Sequence, residues 1–110
     1  MLYIGNMERS GLRKDGVKIK RIAKTMKHLG HPSRILIVRL LLERGPLLVK
    51  EIHETLGLSQ SNTSQHLRNL EVVGILSSQR EGNRIRYWIN KPEVKNLIEC
   101  AYKTTFEEKD

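Results

Sequence analysis

Cysteine is nearly absent: Cys100 is alone in 110 residues, which excludes a disulfide or a thiolate cluster within one chain. The histidines, His28, His31, His53 and His66, stand apart, with no His-x-x-x-His or Cys-x-Cys spacing of the common zinc sites. No apolar run approaches the roughly 20 residues of a membrane-spanning helix, and residues 1–6 are too short for a signal peptide. Cytoplasmic residence, with no membrane partner, is the expectation. Neither a phosphate-cradling glycine loop nor a nucleophile–base pair occurs, so nothing in the pattern supports catalysis. The remaining shortage is of acid. Twelve Asp and Glu face 20 Lys and Arg, a formal charge of +8 with a pI near 9.9, which points to a polyanionic partner and to nucleic acid first.

What is present suits one compact domain. A chain of this length buries only about two thirds of its unfolded surface, so a partner subunit would add to a small core. Six of the eight net charges fall in residues 1–30, carried by Arg9, Arg13, Lys14, Lys18, Lys20, Arg21, Lys24 and Lys27. Residues 1–16 show no clear period and read as a flexible basic arm. From Val17 the pattern becomes helical. Ile19, Ile22, Ala23, Met26 and Leu29 recur at helical spacing until Gly30, predicting an amphipathic helix over residues 17–29. Pro32 suits the first turn of a second helix, whose run from Ile35 to Leu42 is apolar nearly all round and is expected to be the centre of the core.

Residues 49–73, VKEIHETLGLSQSNTSQHLRNLEVV, read as two short helices joined at Gly57-Leu58-Ser59, with Ser59 as N-cap of the second. On that second helix Thr63, Leu67 and Leu70 face inward. Ser61, Ser64, Gln65 and Arg68 then face outward, with Gln60 and Asn62 at the leading edge. Amides suit adenine and arginine suits guanine on their major-groove edges, and small serines let the backbone approach the groove floor. A surface helix without this task would normally carry Glu and Lys. His66 lies on the flank of this face.

Gly74 closes the helix, and Ile75-Leu76 begins a strand paired with residues 85–89 across a turn at residues 80–84. Alternation places Ile85, Tyr87 and Ile89 on one side and Arg84, Arg86 and Trp88 on the other. Arg80, Asn83, Arg84 and Arg86 are expected to lie along a phosphate backbone or dip into the minor groove beside the reading helix. Trp88 has two candidate neighbours, the first helix or a dimer mate. A last amphipathic helix over residues 92–106, with Val94, Leu97, Ile98, Ala101 and Tyr102, pairs with Ile19, Ile22 and Met26 of the first helix as the expected dimer surface. Residues 107–110 form a tail.

The predicted class is mainly α with a small β-hairpin, a winged helix-turn-helix spanning residues 17–106. The stretches LGHPSRILIVRLLLERG, LVKEIHETLGLSQSNTSQHLRNLEVVGIL and REGNRIRYWI resemble the arsenic-repressor (ArsR/SmtB) type of winged-helix regulator. That resemblance implies a homodimer joined through its first and last helices, binding double-stranded DNA at an imperfect inverted repeat and repressing transcription until an effector lowers DNA affinity. Many relatives bind metal through a Cys-x-Cys in the third helix or Asp and His in the last. VKEIHETL and PEVKNLIECAYKTT hold neither pattern, so no metal and no other cofactor is expected. Two alternatives stay open: a winged-helix module that docks protein rather than DNA, and a redox-responsive regulator using Cys100.

Overall fold

The computed structural model describes residues 15–107. The basic arm expected at residues 1–16 lies almost wholly outside them, although Gly16 already opens the first helix. That helix, α1 (Gly16–Leu29), is followed by α2 (Pro32–Arg44) and a short strand β1 (Leu47–Leu48). Then come α3 (Val49–Leu56) and α4 (Gln60–Val72). Strands β2 (Leu76–Glu81) and β3 (Arg84–Ile89) form the hairpin, and α5 (Val94–Phe106) ends the fold. None of the described helices is long and apolar enough to cross a membrane.

Local chemistry sets most boundaries. Pro32 occupies the first turn of α2, where its missing N–H has no helical partner. Glu51 accepts from the Leu48 N–H at 2.9 Å and steadies the start of α3. At the other end of α3, Gly57 takes the left-handed conformation, φ 68°, which only glycine adopts without strain, and the Leu58 N–H reaches back to the His53 carbonyl. Gly30 ends α1 without a left-handed turn. Its φ is −73°, but a Cβ there would lie 3.1 Å from the Met26 carbonyl oxygen.

The core forms around α2, whose Ile37, Val38, Leu40 and Leu41 are buried. Ile52 of α3, Leu67 and Leu70 of α4, and Leu76 and Tyr87 of the sheet pack with them. One flank of α2 departs from the expected all-round burial: Ile35 and Leu36 stay exposed. The sheet is three-stranded and antiparallel in the order β1-β3-β2. Its third member was not expected, since two residues carry no readable period; Leu47 and Leu48 pair with Tyr87 and Arg86.

The expected dimer set divides. Ile19, Ile22 and Met26 stand exposed along α1. Ala101 and Tyr102 are exposed on α5. Val94, in contrast, is buried in its own domain, 5% exposed, and Leu97 and Ile98 are half-buried against the same core. The first turn of α5 therefore belongs to the monomer, because it packs over α2 before the helix runs past the domain. Phe106, outside the expected set, continues the exposed stripe, its ring centroid 5.0 Å from that of Tyr102. A groove of about 680 Å³ runs between α2 and α5, lined by Leu29, Ile35, Leu42, Ile98, Tyr102 and Phe106 among others.

Candidate nucleic-acid interface

The outward face of α4 starts at a well-made helix terminus. Ser59 Oγ accepts from the Asn62 N–H at 3.2 Å, and the Ser59 carbonyl accepts the first helical bond, from Thr63 N–H at 3.0 Å. With Leu67 and Leu70 anchored inward, the helical repeat turns Gln60, Ser61, Asn62, Gln65 and Arg68 into solvent, with Ser64 half-buried beside them. Among the described residues none of these side chains is committed to a hydrogen bond, and no acid interrupts the face. A row of free amides, hydroxyls and one guanidinium on a rigid helix is the donor and acceptor set that base edges can engage.

Thr63 is inward and fully buried. Its Oγ1 has no hydrogen-bond partner among the described residues. Its burial position is dictated by α4 packing, and the methyl fills the space an aliphatic side chain would take.

Gly74 holds α4 to the hairpin. Its φ is 80°, its N–H donates to Glu71 O, and the next N–H, of Ile75, donates to Leu70 O, the pair of bonds that closes a helix on a left-handed glycine. A side-chain bond adds to this: Ser78 Oγ–H of β2 donates to Glu71 Oε2 at 2.7 Å. Tyr87 lies in the same junction. Burial, with the Glu71 charge adding to it, raises its phenol above the ordinary value, against the opposing influence of Arg68. Neither Glu71 nor Ser78 has a sequence signal as a wing anchor, since their contact crosses two elements.

The wing corrects the expected grouping of its basic residues. The turn is two residues long, because Glu81 pairs directly with Arg84. Only Gly82 uses positive φ, 67°, while Asn83 does not; glycine at the first central position is the demand of a type II′ turn. Directly opposite residues share a face. Arg80 is opposite Ile85 and so lies on the other face from Arg84 and Arg86. All of Arg80, Asn83 and Arg84 are exposed. Arg86 is already engaged: its Nε–H and Nη2–H donate to the Glu81 carboxylate at 2.8 and 3.2 Å. That bond to Arg86 holds the Glu81 carboxyl below the usual carboxylate range. Trp88 is half-buried opposite Ser77.

His66, on the flank of the α4 face, is half-buried. It accepts a hydrogen bond from Arg34 of α2 and lies against the ring of His31. Cys100 is exposed on α5. Among the described residues, no group of three His, Cys, Asp or Glu side chains converges to hold a metal ion.

A helix-turn-helix with an uncommitted polar face, followed at once by a basic hairpin, defines a winged helix-turn-helix domain. Residues 31–78 match the family model of the bacterial regulatory proteins of the arsR family. A relative in Mycobacterium tuberculosis, an uncharacterised HTH-type transcriptional regulator, is 37% identical over 81 residues, covering 74% of this chain and 71% of that one. The chain belongs to the ArsR family of transcriptional regulators. Solved structures agree in fold. The transcriptional repressor PagR of Bacillus anthracis matches with a TM-score of 0.67 at 34% identity, over 77% of this chain and 97% of that one. A homodimeric winged helix-turn-helix DNA-binding domain from Mycobacterium bovis matches with a TM-score of 0.74 at 25% identity, over 87% and 88%.

Proposed function

We propose that the chain is a sequence-specific DNA-binding repressor that works as a homodimer without a metal cofactor. The observation that carries this reading is the face of α4: Gln60, Ser61, Asn62, Gln65 and Arg68 are exposed and free of intramolecular partners among the described residues, beside the cationic wing. Each α4 enters a major groove, where Gln65 and Arg68 read base edges. Arg84, Asn83 and Arg80 hold phosphates from the wing, on its two faces rather than in one row, and Arg86 contributes less because Glu81 occupies it.

Two copies are required because one helix reads only a few base pairs. The exposed stripe of Ile19, Ile22, Met26, Tyr102 and Phe106 pairs with its counterpart, burying apolar surface that water disfavours. The two-fold axis then sets the reading helices about 34 Å apart, one turn of duplex, on an inverted repeat. Repression follows from occupying a promoter. The homodimeric Mycobacterium bovis domain and the repressor from Bacillus anthracis support the assembly and the direction of control.

Selection of bound duplexes from a random pool tests this. The expected product is an imperfect inverted repeat protected over both half-sites; recovery of no shared sequence, with binding to every duplex alike, refutes base reading by α4.

A further inference from the structure

Arg34 of α2 bonds to both α1 and α4, two helices that also pack directly on each other. Its Nη1–H donates to the carbonyl of His28, at the end of α1, at 2.9 Å. Its Nε–H donates to Nδ1 of His66 on α4 at 3.0 Å. The His31 ring leans on that of His66 with centroids 4.7 Å apart. Arginine can only donate, so Nδ1 of His66 is the bare nitrogen and the ring proton sits on Nε2. The bond lasts only while this imidazole is neutral. A proton on Nδ1 would set donor against donor and cation against cation.

We propose that the Arg34–His66 bond is the joint that fixes α4 against the end of α1, and that protonating His66 opens it and weakens DNA binding in acid. Arg34 and His66 are positioning residues. They act through α4 on Gln65, the neighbour of His66, and on Arg68, and through the His28 carbonyl they tie that helix to α1, whose exposed stripe forms the dimer. The proposal rests on the DNA-reading role of α4 given above.

The surroundings make the cluster sensitive to charge. Of the elements packed against α4, only the α1–α2 junction and α2 present titratable or charged groups that act on the ring, His31 and Arg34. Both oppose a positive His66, and no acid among the described residues pairs with any of the three. Burial first, then His31 and Arg34, hold the His66 pKa below its ordinary 6.5. The folded protein therefore binds fewer protons here than the unfolded chain. Its stability from this site is complete above 6.5 and is lost as pH falls from 6.5 toward the lower folded value. Ordinary histidines beside phosphates act with the opposite sign, strengthening DNA binding as they gain charge.

The test measures affinity for a duplex recovered by selection from about pH 8 down to about pH 5.5. Wild type is compared with His66→Asn, whose Oδ1 stands near the place of Nδ1 and accepts from Arg34 at every pH, and with His66→Ala. Wild type is expected to lose about five- to tenfold in affinity over this range. His66→Asn keeps the high-pH affinity throughout, and His66→Ala is weak and level. An equal fall in wild type and His66→Asn overturns the proposal. Nitrogen NMR of the wild-type ring without DNA supplies a readout that needs no variant: the Nε2–H tautomer at high pH is expected, and the Nδ1–H tautomer overturns the joint. If no duplex binds at any pH while the tautomer is Nε2–H, the failure lies in the DNA-reading role itself, and the acid effect on binding falls with it.

Discussion

Replacing Glu81 by glutamine should make the wing bind any duplex more tightly and steepen its response to salt. The Glu81 carboxylate takes two hydrogen bonds from Arg86, at 2.8 and 3.2 Å, and stands directly opposite Arg84 in the ladder. It therefore lies on the wing face that carries both arginines. Because the bond to Arg86 lowers its pKa, it remains a fixed negative charge across the working pH range, and a phosphate approaching Arg86 meets it. Each phosphate neutralised adds about 0.9 to the slope of log affinity against log salt, which between about 50 and about 200 mM salt is a factor of roughly 3.5. Glu81→Gln should steepen the slope by up to about 0.9, Arg84→Gln should flatten it by about 0.9, and Arg86→Gln should flatten it by clearly less. Fluorescence anisotropy of a labelled duplex, titrated at several salt concentrations, measures all three. The changes should be the same on a selected and on a scrambled duplex, since phosphates carry no sequence. If Arg86→Gln flattens the slope as much as Arg84→Gln and Glu81→Gln leaves it alone, Arg86 exchanges its carboxylate for phosphate freely, and the ion pair does not restrain it.

Gln65→Ala or Arg68→Ala should each cost about 1 to 3 kcal/mol on the selected duplex, concentrated at particular base pairs; equal losses on scrambled DNA would assign both to the backbone. Val94→Ala should destabilise the fold by about 1 to 2.5 kcal/mol in denaturant titrations while leaving dimer dissociation unchanged, because this side chain is 5% exposed inside its own domain. Tyr102→Glu should do the reverse, splitting the dimer in sedimentation with the monomer's unfolding little altered; a dimer that survives it would move the interface elsewhere. Thr63→Val keeps the buried shape, removes the orphan hydroxyl and should raise stability by about 1 kcal/mol. A loss on that substitution would mean that the hydroxyl has a partner, such as a water.

The elements that could be read from the chain are those whose instructions are local. The 3.6-residue stripe of α1, Pro32 at the head of α2, the Ser59 cap and the glycines after α3 and α4 each act within a turn or two, so sequence order alone exposes them. Side assignment in the hairpin shows where this stops. Taking residues 80–84 as a five-residue turn leaves Arg80 free to join Arg84 and Arg86. Shortening the turn to Gly82-Asn83 extends both strands and puts Arg80 opposite Ile85, which sends its side chain to the other face. Val94 fails for a related reason: a stripe states which face is apolar, but whether α2 or a second subunit covers it depends on where the helix lies in space.

Contacts between elements leave no period at all. Leu47 meets Tyr87, Ser78 reaches Glu71, and Arg34 meets His66 across 32 positions. The last two hold α4 against β2 and α2. In the proposed function, base readout depends on that pose as much as on the identity of Gln65 and Arg68, because a bidentate hydrogen bond tolerates only a narrow range of distance and angle. Local patterning thus specifies what α4 can read, and the long-range polar contacts specify where it is held to read it. A regulatory signal that leaves the reading face intact can therefore still act, by loosening a joint such as Arg34–His66 that takes no part in base contact.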